Sequence, residues 1–206
     1  MARGAIAAGF AGKTEDFLLL KISSGIGAGA VLGGRIYTGA TGGAGEFGHL
    51  PVCDWSEPRT LCPRCLRHGC IEVVSSAAAI AQRLTTKSKK YPRGILPSTI
   101  IENAKDPVRH QECHQVISEA GERIGEVLAS VVSFLDVERV LVAGVMAEAG
   151  DLLLGPMRNV VDKKAINFTR PKIEALDRRA RAEIGLYGSG VLGLSKAKPV
   201  FFSQLE

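Results

Sequence analysis

The 206-residue sequence predicts an α/β fold, and three observations carry the prediction. It has 24 glycines beside only 5% aromatic residues, which suits many tight strand-to-helix turns better than an aromatic-packed sandwich. A glycine-punctuated hairpin covers residues 17 to 37, and a buried strand near residue 140 runs into a glycine turn and a helix start. With 46% hydrophobic residues the chain is long enough to bury a core, and is most simply one domain or one lobe of a larger protein.

The elements follow in order. Phe17 to Ile22 reads as a strand, roughly Ala28 to Leu32 as its hairpin partner, and Arg35 to Tyr37 continues after the Gly33-Gly34 pair. "SSAAAIAQRL" has helical spacing, with Ser75 or Ser76 as N-cap. Residues 87–107 are polar and carry Pro92, Pro97 and Pro107, so they predict a loop with a short helix in "PSTIIENAK". Between Val108 and Phe134, apolar residues at Val116, Ile117, Ala120, Ile124, Val127, Leu128, Val131 and Val132 predict one long central helix. Val140 to Ala143 is the buried strand before the Gly144 turn. A short strand is expected at Lys172–Ala175 and a glycine-broken helix from about Leu186. Neither an internal repeat nor a linker is visible.

Charge and cysteine usage narrow the function. The formal charge of +5 is concentrated in Lys87–Lys90 with Arg93 and in Arg178–Arg181, two runs that read as solvated faces rather than nucleic-acid patches. Lys21 and the glycines interrupt the best candidate for a membrane span, and the N-terminus lacks the apolar core of a signal peptide, so a cytoplasmic location is expected. Five cysteines is an odd number. Three of them, Cys62, Cys65 and Cys70, form a C-x2-C-x4-C run, which in a reducing compartment points to metal rather than disulfides. A redox pair at Cys62 and Cys65 is the weaker reading.

Three thiolates and one imidazole complete a closed tetrahedral shell for structural zinc. His49, upstream, and His68, inside the cysteine loop, compete for the fourth place, and Cys53 is left over. Glu46 follows a glycine-rich run and Glu72 follows the last cysteine by two positions. A metal-clamped loop would bring Glu46, His49 and Glu72 into one neighbourhood suited to the vicinal hydroxyls of a sugar. "ISSGIGAGAV" and "VAGVMAEAGD" place glycines where strands turn, so backbone N–H groups can approach a phosphate, but neither is a Walker A loop or a dinucleotide fingerprint.

Taken together, "SSGIGAGAVLGGRIYTGATGGAGEFGHL", "CPRCLRHGCIE", "ERVLVAGVMAEAG" and "LYGSGVLGLSKA" resemble the ROK family. That family groups bacterial sugar kinases with sugar-responsive repressors on the actin-like ATPase, or ribonuclease H-like, fold. The resemblance implies that Glu46, His49 and Glu72 contact a hexose or hexose derivative, and that His49 also binds zinc beside Cys62, Cys65 and Cys70. It implies that Gly25 and Gly27, with the hydroxyl of Ser24, lie at the phosphates of a nucleotide and Gly144 near its adenosine. It also implies a homo-oligomer.

The departures are informative. The first cysteine gap is one residue longer than the family's, and Leu66 stands where the family has a glycine. Ser23-Ser24 replaces Gly-Thr, and Ala143 takes another glycine's place. Met1 falls at about the family's catalytic aspartate, so the N-terminal lobe is expected to be absent and the chain alone is not expected to transfer phosphate. Three readings follow. One is the sugar-sensing domain of a transcriptional regulator that meets DNA only through an upstream domain. The second is the C-terminal lobe of a glucokinase-like enzyme using ATP and magnesium. The third, disfavoured because the loop lacks a second Cys/His pair, is a small zinc module for nucleic acid.

Overall fold

The structure, a computed structural model, describes residues 16–52, 61–166 and 170–176. Cys53, the Arg178–Arg181 run and the helix expected from Leu186 lie outside the described residues. Five strands form a mixed sheet in the order β3-β2-β1-β4-β5. β1 (Phe17–Ile22) pairs antiparallel with β2 (Ile26–Leu32), and β2 pairs antiparallel with β3 (Arg35–Tyr37). On the other side β1 runs parallel to β4 (Arg139–Ala143), which runs parallel to β5 (Lys172–Ala175).

β1 sits at the centre because both of its faces are apolar, the pattern a strand covered on both sides requires. Leu18, Leu20 and Ile22 enter the larger core with the helices, while Phe17 and Leu19 join Val31, Leu141, Ala143 and Leu176 on the opposite face. β2 begins two residues earlier than the sequence predicts, at Ile26, which pairs with Ile22. Gly27 and Gly29 carry low strand propensity, but pairing against β1 overrides it, as tertiary context commonly does for strands.

Among the described residues four α-helices precede β4: α1 (Ile71–Ser75), α2 (Ala77–Lys87), α3 (Pro97–Ala104) and α4 (Gln111–Leu135). Ser76 caps α2, its side chain accepting from the Ala79 N–H at 3.2 Å. α4 is the long helix the spacing predicts, shifted to a later start, and it ends at Asp136 in the left-handed region (φ 49°). α5 (Asp151–Lys164) packs along α4 closely enough that a β-carbon on Gly121 would lie 2.3 Å from the Leu153 carbonyl oxygen. The helix start expected after Gly144 comes in two pieces, a 3-10 turn over Val145–Ala149 and then α5, because Gly150 between them takes φ 55°. Among the described residues no helix is long and apolar enough to cross a membrane.

The topology has one consequence for function. β1 and β4 are parallel neighbours, so the turns that follow them, Ser23–Gly25 and Gly144, emerge side by side at the same edge of the sheet. Clefts for small ligands in such sheets lie beyond the carboxyl ends of parallel strands.

Candidate functional site

The first half of the site is a short 3-10 turn, Phe47–His49, laid against the start of β2. Buried Phe47 anchors it, and the Ala28 N–H donates to the Gly45 carbonyl at 3.0 Å. The approach is close: a β-carbon on Gly48 would meet the Ile26 carbonyl oxygen at 2.2 Å and the Glu72 β-carbon at 3.4 Å. Glycine at 48 is therefore a packing requirement, and it sets Glu72 beside the turn that carries Glu46 and His49.

The second half is a knuckle over residues 61–70. Leu61 bridges His68 and Pro51 bridges Cys70, while the Cys62 N–H donates to the Arg67 carbonyl at 2.8 Å and the Leu66 N–H to the Cys62 carbonyl at 2.9 Å. Leu66 sits at the tip with φ 57°, and is 74% exposed. The position asks for left-handed backbone, a conformation that favours glycine over leucine.

These two pieces gather four donors. One atom each from His49, Cys62, Cys65 and Cys70 lies within 4.8 Å of the others, so of the two competing histidines it is His49 that joins the cysteines. His49 Nδ1 is 3.6 Å from the Cys62 sulfur, and the Cys65 and Cys70 sulfurs are 3.3 Å apart without a disulfide. A tetrahedron on Zn–S bonds of about 2.3 Å has S···S edges of about 3.8 Å, so the donor set fits such an ion with little movement.

Electrostatics point the same way. Burial pushes the Cys70 thiol up to about 12, reinforced by its contact with Cys65 and by the charges of Cys62 and Cys65. Cys65 moves oppositely, because the Arg67 backbone N–H donating to its sulfur outweighs desolvation. Crowded sulfurs that resist joint ionisation are the surroundings in which a bound cation replaces protons.

The remaining candidates arrange around this cluster. His49 turns its other nitrogen, Nε2, towards the Glu46 carboxylate at 3.5 Å, and Glu46 is mostly exposed. Glu72 Oε2 accepts from the Ile26 N–H at 2.9 Å, at the end of the glycine turn after β1. Ser24 is exposed at the tip of that turn, and a β-carbon on Gly27 would meet nothing within 4 Å. Gly144 has φ 93°, and a β-carbon there would lie 2.2 Å from the Ile22 carbonyl oxygen. Sequence reasoning missed Ser23, whose hydroxyl accepts from the Val145 N–H at 3.3 Å and ties the two glycine turns together. Nothing in the local sequence signals a partner 122 positions away.

Comparisons with known proteins meet this geometry. The N-acetylglucosamine repressor of Escherichia coli is 28% identical over 163 residues, covering 77% of this chain and 39% of the repressor. A glucokinase of Halalkalibacterium halodurans is 28% identical over 188 residues, covering 86% of this chain and 56% of the enzyme. The curated relatives it matches are longer, this chain spanning between 39% and 57% of their length. A ROK family glucokinase from Streptomyces griseus, solved with glucose and AMPPNP, superposes with a TM-score of 0.75 at 25% identity over 93% of this chain and 64% of its own. The mixed sheet described above is thus that of the actin-like ATPase sugar-kinase fold. Since the ROK family model matches residues 2–195, and repressors and sugar kinases of that kind align along most of its length, this chain belongs to the ROK family.

Proposed function

We propose that this chain is the carbohydrate-binding, sugar-sensing domain of a ROK family transcriptional regulator, and that its ligand is a hexose or hexose derivative held by Glu46, His49 and Glu72. The observation that carries this reading is the placement of His49, whose Nδ1 faces the Cys62 sulfur and whose Nε2 faces Glu46. The imidazole is oriented from both sides, as outer partners orient metal-bound histidines. His49, Cys62, Cys65 and Cys70 would hold structural zinc, which supplies order to a loop with little core of its own.

In the sensing role the residues bind rather than react. The exposed Glu46 carboxylate and the second oxygen of Glu72 accept from ligand hydroxyls, while the His49 ring closes the space between them. The turn after β1 carries Ser23-Ser24 where the family pattern has Gly-Thr, which favours the sensing reading over the nucleotide-binding one. On this reading the protein acts in the cytoplasm as a homo-oligomer and meets DNA through a domain upstream of residue 1.

A second reading, the C-terminal lobe of an ATP-dependent sugar kinase, has its own support in the 0.75 TM-score to a glucokinase that binds glucose and AMPPNP. Isothermal titration separates the two. The sensor requires heat from N-acetylglucosamine or glucose with none from magnesium-ATP. Saturable magnesium-ATP binding would transfer the assignment to the kinase lobe, and silence with every hexose would remove the carbohydrate reading altogether.

A further inference from the structure

Ser23 joins three elements, each through a different group. Its N–H donates to the Gly25 carbonyl at 2.9 Å and closes the turn after β1. Its carbonyl accepts from the Ala77 N–H at 2.8 Å, one of the donors that the first turn of α2 cannot satisfy from within. Its hydroxyl accepts from the Val145 N–H at 3.3 Å. The first two are backbone bonds open to almost any residue at 23, but the third needs a hydroxyl.

That third bond does a capping role at a distance. Val145 opens the 3-10 turn, and Gly144 before it has no side chain to accept the first free N–H, so an acceptor comes from the turn of the neighbouring strand instead. The 3-10 turn stands between two glycines of positive φ, 93° at Gly144 and 55° at Gly150, and α5 begins directly after the second. Glu72 grips the turn after β1 from the other side. Its Oε2 accepts from the Ile26 N–H at 2.9 Å, while its own carbonyl accepts from the Ser76 N–H at 3.2 Å, next to the Ala77 that bonds Ser23. The carboxylate and the junction of α1 with α2 thus hold the two ends of one short turn, Ser23 to Ile26.

We propose that Ser23 is the positioning residue that ties Glu72 to the Val145–Ala149 turn: fixing the Glu72 carboxylate steadies the turn after β1, and the Ser23 hydroxyl passes that order to Val145 and the start of α5. Local opening equilibria that share a hydrogen-bonded segment are coupled in this way without a change of shape. On the carbohydrate reading above, on which this half rests, a hexose hydroxyl donating to Glu72 is felt where α5 begins. The family pattern has glycine at 23, which keeps the backbone bonds and lacks the hydroxyl, so the tie belongs to this chain.

The test is hydrogen exchange of the full chain, read on peptides covering residues 145–150, with zinc content, melting temperature and exchange of residues 116–128 in α4 as controls. Without ligand, Glu72→Ala should speed exchange of residues 145–150 at least about threefold, within the range that one net hydrogen bond supports, and should add nothing in a Ser23→Ala background. Parental exchange in Glu72→Ala, or effects of the two substitutions that simply multiply, would overturn the proposal. If Glu72→Ala loses zinc or its fold, Glu72→Gln takes its place under the same two criteria. Saturating N-acetylglucosamine should slow exchange of residues 145–150 in the parent by about threefold or more. Ser23→Ala should bind hexose without that slowing, and Ser23→Thr, which keeps the hydroxyl, should recover it. Hexose that binds the parent without slowing residues 145–150, or slows them equally in Ser23→Ala, overturns the tie. A parent that binds no hexose removes the carbohydrate reading, and the ligand-free comparison then decides the tie by itself.

Discussion

The sheet with its helices and the knuckle over residues 61–70 differ in what their buried side chains are made of. Along β1, β4, α4 and α5 the inward side chains are fully buried, Leu20, Ile124, Leu128, Val140 and Leu153 among them, in one continuous apolar core. In the knuckle, Leu61, Pro63, Arg64, Leu66 and Arg67 are exposed, and the buried side chains are Cys62 and Cys70. Where the first region is held by removing hydrocarbon from water, the second has sulfur and imidazole donors converging on one point. A region too small to exclude water can still be rigid if ligation replaces packing.

The sharpest way to break that contrast is to remove a donor. Cys65→Ser should lose stoichiometric zinc and lower the melting temperature by about 10 °C or more, since metal-site free energy is folding free energy. Chelation should do the same to the parent, and a melting curve indifferent to chelation would put the knuckle in the same class as the core. On the other side, Ile124→Ala should cost about 3 to 4 kcal/mol through a cavity that the α4–α5 contact cannot collapse, with zinc content unchanged.

Two further variants probe the junction between the regions. Glu46→Gln should weaken hexose binding by about a hundredfold or more, roughly 2.7 kcal/mol, while zinc content stays at the parental level. Loss of zinc in Glu46→Gln would mean that scaffold and ligand roles have been exchanged. Leu66→Gly should stabilise the protein by about 0.5 to 1 kcal/mol, since the leucine is exposed and its left-handed backbone is strained. A destabilised Leu66→Gly would instead assign the side chain a contact.

The smallest effect belongs to the core's own polar edge. Burial would raise the Glu119 carboxyl, but the Arg83 guanidinium, with Lys87 and Gln115, more than reverses this and holds it below the ordinary 4.5. A depressed folded value means stability that is present above the unfolded value and lost as pH falls through the folded one. Acid unfolding below about pH 4.5 should therefore be flatter by a few tenths of a kcal/mol (about 0.3) in Glu119→Gln, and an unaltered acid limb would show the pair to be inert.

How much of this was legible in the sequence follows the same division. Strands β1, β3 and β5 could be read directly, because hydrophobic runs bounded by glycine report local physics, while the cap of α2 was narrowed to Ser75 or Ser76 and the structure chose Ser76. The start of β2 could not, since Gly27 and Gly29 look like turn residues until β1 is known to lie beside them. In the site, the cysteine spacing announced a metal-like cluster, but the choice of His49 over His68 needed the fold that sets the Phe47–His49 turn against the knuckle. Glu72 was singled out for sugar, whereas its grip on Ile26 depends on a contact across 46 positions.

The parallel pairing of β1 with β4 also governs when the molecule can assemble. Phe17 finds Arg139, and Ser23 finds Val145, only after more than half the chain has been made. Long loop closures of that kind slow folding, because their entropy is lost before the distant contacts return anything. A nascent chain stalled before residue 139 would carry the hairpin and the knuckle without the strand that fixes their edge, so ligand competence should arrive late in synthesis and all at once.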